Sequence, residues 1–336
     1  MPDQLVRNYR RPAALGGPAQ PDADAVSVRW FGTATFELAF GDKVVLLDNF
    51  YDRPARNRSL GFSAADVTRA DYILVGHPHF DHVADTARVA RQTGAPVAIA
   101  PIGADYLVGQ GLPAEQILSV PGLGKGDVLS APDFTVTALH AFHLDFGLTA
   151  DQVQKWQAVR AAQAAFDAEF TPPPTTSDGE EALSIAQRGV HTPEVNTEAT
   201  LSYIIEIDGF RIAYRDSGGK ISDEERAYFA ANPGVDLAIL SLNGLPHFAQ
   251  QLEDVFMPLV RLYQPRVLVP AHHDELWANF DGGGLSRLFN NVSTETIKER
   301  VHDEFPASVT VQPALIEPVT VSRSDGAVAV GEVHVR

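Results

Sequence analysis

Tyr72-Ile73-Leu74-Val75-Gly76-His77-Pro78-His79-Phe80-Asp81-His82 joins a short apolar run to three imidazoles and a carboxylate. Four continuous apolar residues closed by a glycine read as a strand buried on both faces. From His82 to about Gln92 the chain reads as a helix, with Val83, Ala87 and Ala90 on one face and Gly94 as its stop. A tight strand-to-helix turn directs these four side chains into one small volume. The chain has only 11 histidines in 336 residues, so a chance surface loop is a poor account of three within six positions. Histidine nitrogen with carboxylate oxygen suits zinc, manganese or iron, and a first-row ion held by three protein ligands keeps a position open for water.

Working outward, Val26 to Trp30, Thr35 to Phe40 and Lys43 to Leu47 are rich in β-branched and aromatic residues, with Gly41-Asp42 as a hairpin turn between the last two. Further strands are expected over Pro96 to Ala100, Phe134 to Ala141, Leu201 to Ile207, Phe210 to Tyr214, Leu237 to Leu242 and Val267 to Val269. Helices near 222–231 and 250–263 complete an alternating α/β layout. Residues 150–170 place Val153, Trp156, Val159, Phe166 and Phe170 on one helical face. A proline-rich run from Thr171 to Gly179 follows, which no packed helix or central strand accommodates. The chain therefore divides into a flexible leader over 1–25 and one domain over 26–336, carrying an insertion at 148–197 near the active site.

The pattern H-x-H-x-D-H after a strand ending in glycine resembles the signature of the metallo-β-lactamase superfamily. The opening Trp30-Phe31-Gly32-Thr33-Ala34-Thr35-Phe36 and the close Val269-Pro270-Ala271-His272 are similar to those of its lactonase-like and phospholipase-like branch. The resemblance implies a four-layer αββα sandwich and a centre of two divalent ions, zinc first, with manganese or iron as alternatives. It implies that His77, His79 and a later histidine hold one metal, that Asp81, His82 and a final histidine hold the other, and that Asp216 bridges them. Asp216 ends a strand in Ile212-Ala213-Tyr214-Arg215-Asp216-Ser217-Gly218, where Arg215 and Ser217 depart from the family's glycine and threonine. His140 and His143 compete for the third position of the first metal. Strand residues three apart face opposite ways, and the family's small-apolar-His pattern fits Ala141-Phe142-His143, so His143 is expected. His272 is preferred to His273 because it follows Pro270 by two. Asp48, after the third strand, is expected to orient a ligand histidine. His191, His302 and His334 lie outside the series and read as surface residues, and His247 as a pocket candidate.

The same resemblance implies a hydrolase in which a metal-bridged hydroxide attacks a carbonyl or phosphorus, with Asp81 handling the proton. A lactone or related cyclic ester or amide is the expected substrate, a small or lipid phosphodiester the alternative. From another class stands a mononuclear-iron persulfide dioxygenase. Lys and Arg number 26 against 43 Asp and Glu, a net charge of −17, which disfavours nucleic acid as a partner and favours a small-molecule substrate. Without cysteine there is no thiolate ligand. No apolar run is long enough for a transmembrane span. Arg10-Arg11 lacks the apolar segment of an export signal, so a cytoplasmic location is expected, with a periplasmic one if a signal was trimmed. A homo-oligomer is compatible with all of this.

Overall fold

The structure is a computed structural model that describes residues 11–18, 24–55, 59–120, 127–144, 176–242, 252–274 and 294–330. Two sheets face one another. The first comprises β1 (Ala25–Trp30), β2 (Phe36–Phe40), β3 (Lys43–Leu47), β4 (Tyr72–Leu74), β5 (Val97–Ile99) and β6 (Ile117–Ser119). The second begins with β7 (Asp127–Ser130), β8 (Thr135–Ala141), β9 (Thr200–Ile207) and β10 (Phe210–Arg215), and continues through β11 (Val235–Ser241), β12 (Pro265–Ala271) and β13 (Val309–Thr310). The chain then returns to the first sheet with β14 (Pro318–Ser322) and β15 (Val328–Val330), giving the order β15-β14-β1-β2-β3-β4-β5-β6 against β13-β12-β11-β10-β9-β8-β7.

Each sheet changes character once. In the first, β1 to β3 pair antiparallel and β3 to β6 parallel. In the second, β7 to β10 pair antiparallel and β10 to β13 parallel. The carboxyl ends of strands beside such a switch form a crevice that adjoining loops line, which is where open α/β sheets present ligand sites.

Strand alternation explains the layering. In β3, Val45 and Leu47 enter the core between the sheets, while Val44 and Leu46 face the opposite way, into a second core. That outer core takes Val83, Ala87, Val89, Ala90 and Leu107 from helices Phe80–Val83, Thr86–Thr93 and Pro101–Gly109. A third core covers the other sheet with Phe229, Met257, Val260, Ile297 and Val301 from helices Asp223–Ala231, Met257–Tyr263 and Thr294–Glu304. Three cores between four layers make the αββα sandwich.

Two expectations need adjustment. The helix drawn as one piece from His82 is two, broken at Ala84-Asp85. Asp85 is withdrawn from an ordinary helix start because its carboxylate accepts the Tyr51 and Asp52 N–H groups. Within the segment read as a loose leader, Ala13–Leu15 form a buried 3-10 turn, because Ala13 and Ala14 donate their N–H groups to the buried Glu37 carboxylate at 3.1 and 2.7 Å. The apolar helix expected over 150–170 and the proline run up to residue 175 lie outside the described residues; the end of that run, read as unable to form a packed helix, instead opens helix Thr176–Ala186, a stretch that holds no proline. The rest of the insertion contains helices Thr176–Ala186 and Pro193–Glu198.

Candidate metal centre

Seven donor residues meet where the strands end. His77, His79, Asp81 and His82 follow β4, His143 follows β8, Asp216 follows β10 and His272 follows β12. Their donor atoms fall into three overlapping groups, each within 4.8 Å: His77, His79 and His143; His77, His82 and Asp216; Asp81, His82 and His272. The shared members His77 and His82 place the Asp216 carboxylate between the outer groups. His77 Nδ1 lies 2.6 Å and His82 Nδ1 3.2 Å from Asp216 Oδ2. His272 Nε2 lies 3.0 Å from Asp81 Oδ2.

Local sequence makes this closeness attainable. A Cβ on Gly76 would stand 2.1 Å from the Asp216 carboxyl, so only glycine lets β4 turn past that carboxylate. Thr33, Asp48 and His272 have φ of 48°, 48° and 51°, the left-handed region that residues with a Cβ disfavour. Such backbone persists where surrounding bonds hold it and gathers at functional sites. Asp48 is held by donating its N–H to Leu74 O and by accepting from Gly76 N–H and Tyr214 O–H. Its Oδ2 is 2.5 Å from His82 Nδ1, the orienting contact the sequence suggested.

The paired histidines separate by their hydrogen bonds. His143 Nδ1 is 2.8 Å from the Leu144 carbonyl, an oxygen that only accepts, so the proton sits on Nδ1 and Nε2 is left as the donor nitrogen toward His77 and His79. His140 instead uses Nε2 on the Thr197 carbonyl. His273 stacks on Trp30 at 5.0 Å, away from the donor groups.

Charge follows the same division. Burial, reinforced by the other imidazoles, pushes His79 far below the ordinary histidine range and His143 down to about 3; burial also lowers His77. Neutral imidazole is the form that ligates a metal. Burial opposes ionisation of Asp81 and Asp216, yet His82 with His272 holds Asp81, and His77 with His82 holds Asp216, well below the carboxylate range. Burial drives Asp48 up to about 7 against the pull of His82. A cation fits among the anionic oxygens and the neutral nitrogens of His77, His79 and His143, whereas His82, held protonated by Asp81 and Asp48, would give up its proton to ligate one. Asp216 Oδ1 and His272 Nδ1 are buried without a hydrogen-bond partner, unpaired polar atoms of the kind a cation would satisfy.

Further residues gather around the centre that the sequence reading did not place there. His191, read as a surface residue, is exposed but lies parallel to His79 with ring centroids 5.1 Å apart. It is carried there by Gly189, where a Cβ would stand 2.4 Å from Phe80 N, and by Arg188, which pairs with Asp85. Arg53 and Asp274 form a buried ion pair beside Thr33. None belongs to a local motif; only tertiary contact brings them in. Arg215, noted as a departure from the family pattern, is fully buried and donates to the Ser217, Gly219 and Lys220 carbonyls, wrapping the loop that presents Asp216.

A sequence model described as "Beta-lactamase superfamily domain" matches residues 43–273. With the αββα sandwich and this arrangement of donors, the chain belongs to that family. Among curated sequences, a UPF0173 metal-dependent hydrolase of Thermococcus onnurineus is 26% identical over 250 residues, 74% of this chain and 85% of its own length. One from Methylobacterium nodulans is 34% identical over 117 residues, 34% of this chain and 48% of the relative; the match spans about half the length of such relatives. Among solved structures, Igni18, a metallo hydrolase from Ignicoccus hospitalis, aligns with 88% of this chain and 98% of its own at 16% identity and a TM-score of 0.56. CmlA, a diiron β-hydroxylase from Streptomyces venezuelae, aligns with 90% of this chain and 55% of its own at 13% identity and a TM-score of 0.52. These structural likenesses concern the fold alone.

Proposed function

We propose that the chain is a metal-dependent hydrolase whose centre holds two divalent ions, one at His77, His79 and His143, the other at Asp81, His82 and His272, with Asp216 between them. The observation that carries the reading is the overlap of three donor groups through His77 and His82 around one buried carboxylate. The family membership and the names of the sequence relatives, metal-dependent hydrolases, support the same class. Such ions, when bound, supply Lewis acidity and lower the pKa of water.

The chain's own residues do the rest. Leu144 O fixes the His143 ring through Nδ1, and Asp48 fixes His82 through Nδ1. Tyr214 O–H, donating to Asp48 at 2.6 Å and also directed at Ala34 O, keeps that carboxylate aimed at His82. Asp81 Oδ2, between His272 and His82, is ionised and able to accept a proton and return it to a leaving group. No serine nucleophile is needed.

The substrate of this reading is a carbonyl compound, a lactone or a related cyclic ester or amide. The net charge of −17 counts against a nucleic-acid phosphodiester, since an acidic chain repels polyanions. Screening the zinc- and manganese-loaded chain against lactones, β-lactams and phosphodiesters tests it. Turnover of the first class with Asp81→Asn reduced by ~10²-fold or more is expected; turnover confined to phosphodiesters, or undiminished in Asp81→Asn, contradicts it.

A further inference from the structure

His272, the ligand at the end of β12, has its backbone at φ 51°, and its position depends on what holds that turn. Its N–H donates to Thr33 O at 3.0 Å. Thr33, itself at φ 48°, donates its N–H to the Asp274 carboxylate at 2.8 and 2.9 Å. Thus the His272–Asp274 turn and the Gly32-Thr33 loop are tied by two bonds running in opposite directions. Arg53 clamps both sides. Its guanidinium reaches Asp274 Oδ2 at 3.4 Å, Phe31 O at 2.9 Å and Thr33 Oγ1 at 3.3 Å, and stands over the Phe50 ring at 5.2 Å. The Arg53 and Asp274 side chains are 3% and 0% exposed. Gly32, at φ 91°, gives the guanidinium its room, since a Cβ there would meet Arg53 Nη2 at 2.5 Å.

We infer that Arg53 and Asp274 are positioning residues for His272, and that through it they set the affinity of the Asp81–His82–His272 group for its metal without touching the His77–His79–His143 group. The inference rests on the two-metal reading above. Asp274 also stands two residues from a ligand in a cluster already rich in carboxylates. Pairing with Arg53 and bonding to Thr33 commit it to the turn rather than to a cation. A planar fork that satisfies three acceptors at once is a role lysine does not reproduce.

The test is a chelator-competition titration of Zn²⁺ into the metal-stripped chain, with the two binding steps assigned through His143→Ala and His272→Ala. Arg53→Lys and Asp274→Asn are expected to weaken the His272-dependent step by ~10- to 100-fold, the range for groups that orient a ligand, and to leave the His143-dependent step unchanged. In the His272→Ala background, Arg53→Lys should add no further loss of metal affinity. Weakening of both steps alike, or a lowered melting temperature with both affinities intact, would assign the pair to general stability and overturn the inference. Should Asp274→Asn not fold, Arg53→Lys decides alone. Two normal steps in Arg53→Lys overturn the inference and leave the two-metal reading standing; a single step in the unaltered chain overturns both.

Discussion

Gly76 is the position at which one atom decides whether the centre forms. A methyl group there would overlap the Asp216 carboxyl, so either β4 or that carboxylate would have to shift. Gly76→Ala is therefore expected to displace Asp216, lowering metal content and activity together, at a stability cost of about 1–3 kcal/mol typical of overpacking. Metal analysis beside a melting curve checks it; a variant with normal metal content refutes the steric account. At the end of β8, His143→Ala should lose metal, whereas His140→Ala, which forfeits the bond to Thr197 O and the ring contact with Phe142, should keep it. Equal loss in both would mean that the two rings share the site. The histidine cluster was readable in the sequence because its members are local, whereas His143, Asp216 and His272 were reached through the resemblance to the family's ordered motifs, and the fold brings them beside the cluster. Arg53, Asp274 and His191 were not, since Arg53 and Asp274 are paired across 221 positions, Asp274 and Thr33 across 241, and His191 meets His79 across 191 − 79 = 112, and nothing in their own surroundings marks them.

Strands were legible from β-branched, apolar runs, and ten of them stand where the sequence put them, because burial on both faces leaves a continuous pattern. Short edge strands such as β6, β7, β13 and β15 carry little of that signal. Helix Thr294–Glu304 was missed for a different reason: only Ile297 and Val301 are fully buried, so its apolar stripe is thin. Its docking relies also on Glu304, which Arg261 and Arg300 hold down to about 2. A carboxylate depressed in the folded state stabilises above its unfolded pKa and loses that contribution as pH falls through the folded value. Melting temperature should therefore fall more steeply between pH 5 and pH 2 in the unaltered chain than in Glu304→Gln, with the curves converging near the acid end. Parallel curves would deny the pair any role, and the effect will be small because the groups are exposed. Strand β10 meets helix Asp223–Ala231 through a stronger device, the buried Arg215–Glu225 pair at 2.8 Å, to which Tyr263 O–H also donates. Arg215→Met strands that carboxylate and frees the Asp216 loop. A loss of about 3–5 kcal/mol is expected, read as a melting temperature lower by on the order of 10 °C, together with reduced metal content; a shift under a few degrees would contradict it.

Across the whole molecule, the two sheets repeat one plan. Each runs antiparallel and then parallel, and at each switch the strand ends in an aspartate: Asp48 after β3 and Asp216 after β10. Both carboxylates reach His82, which burial would discharge but which Asp81 and Asp48 hold well above the histidine range. The centre thus lies where two half-structures meet, and its donors are supplied by both sheets rather than by one loop. A metal site built this way couples the halves: ions binding only the folded chain stabilise it by mass action. The measurement that bears most directly on this account is the number of metal ions per chain, by elemental analysis of the purified protein after dialysis against limiting zinc. About two ions per chain are expected, falling to about one in His272→Ala with the His77–His79–His143 group still loaded. One ion or none in the unaltered chain, or two retained in His272→Ala, would contradict a centre shared between the sheets.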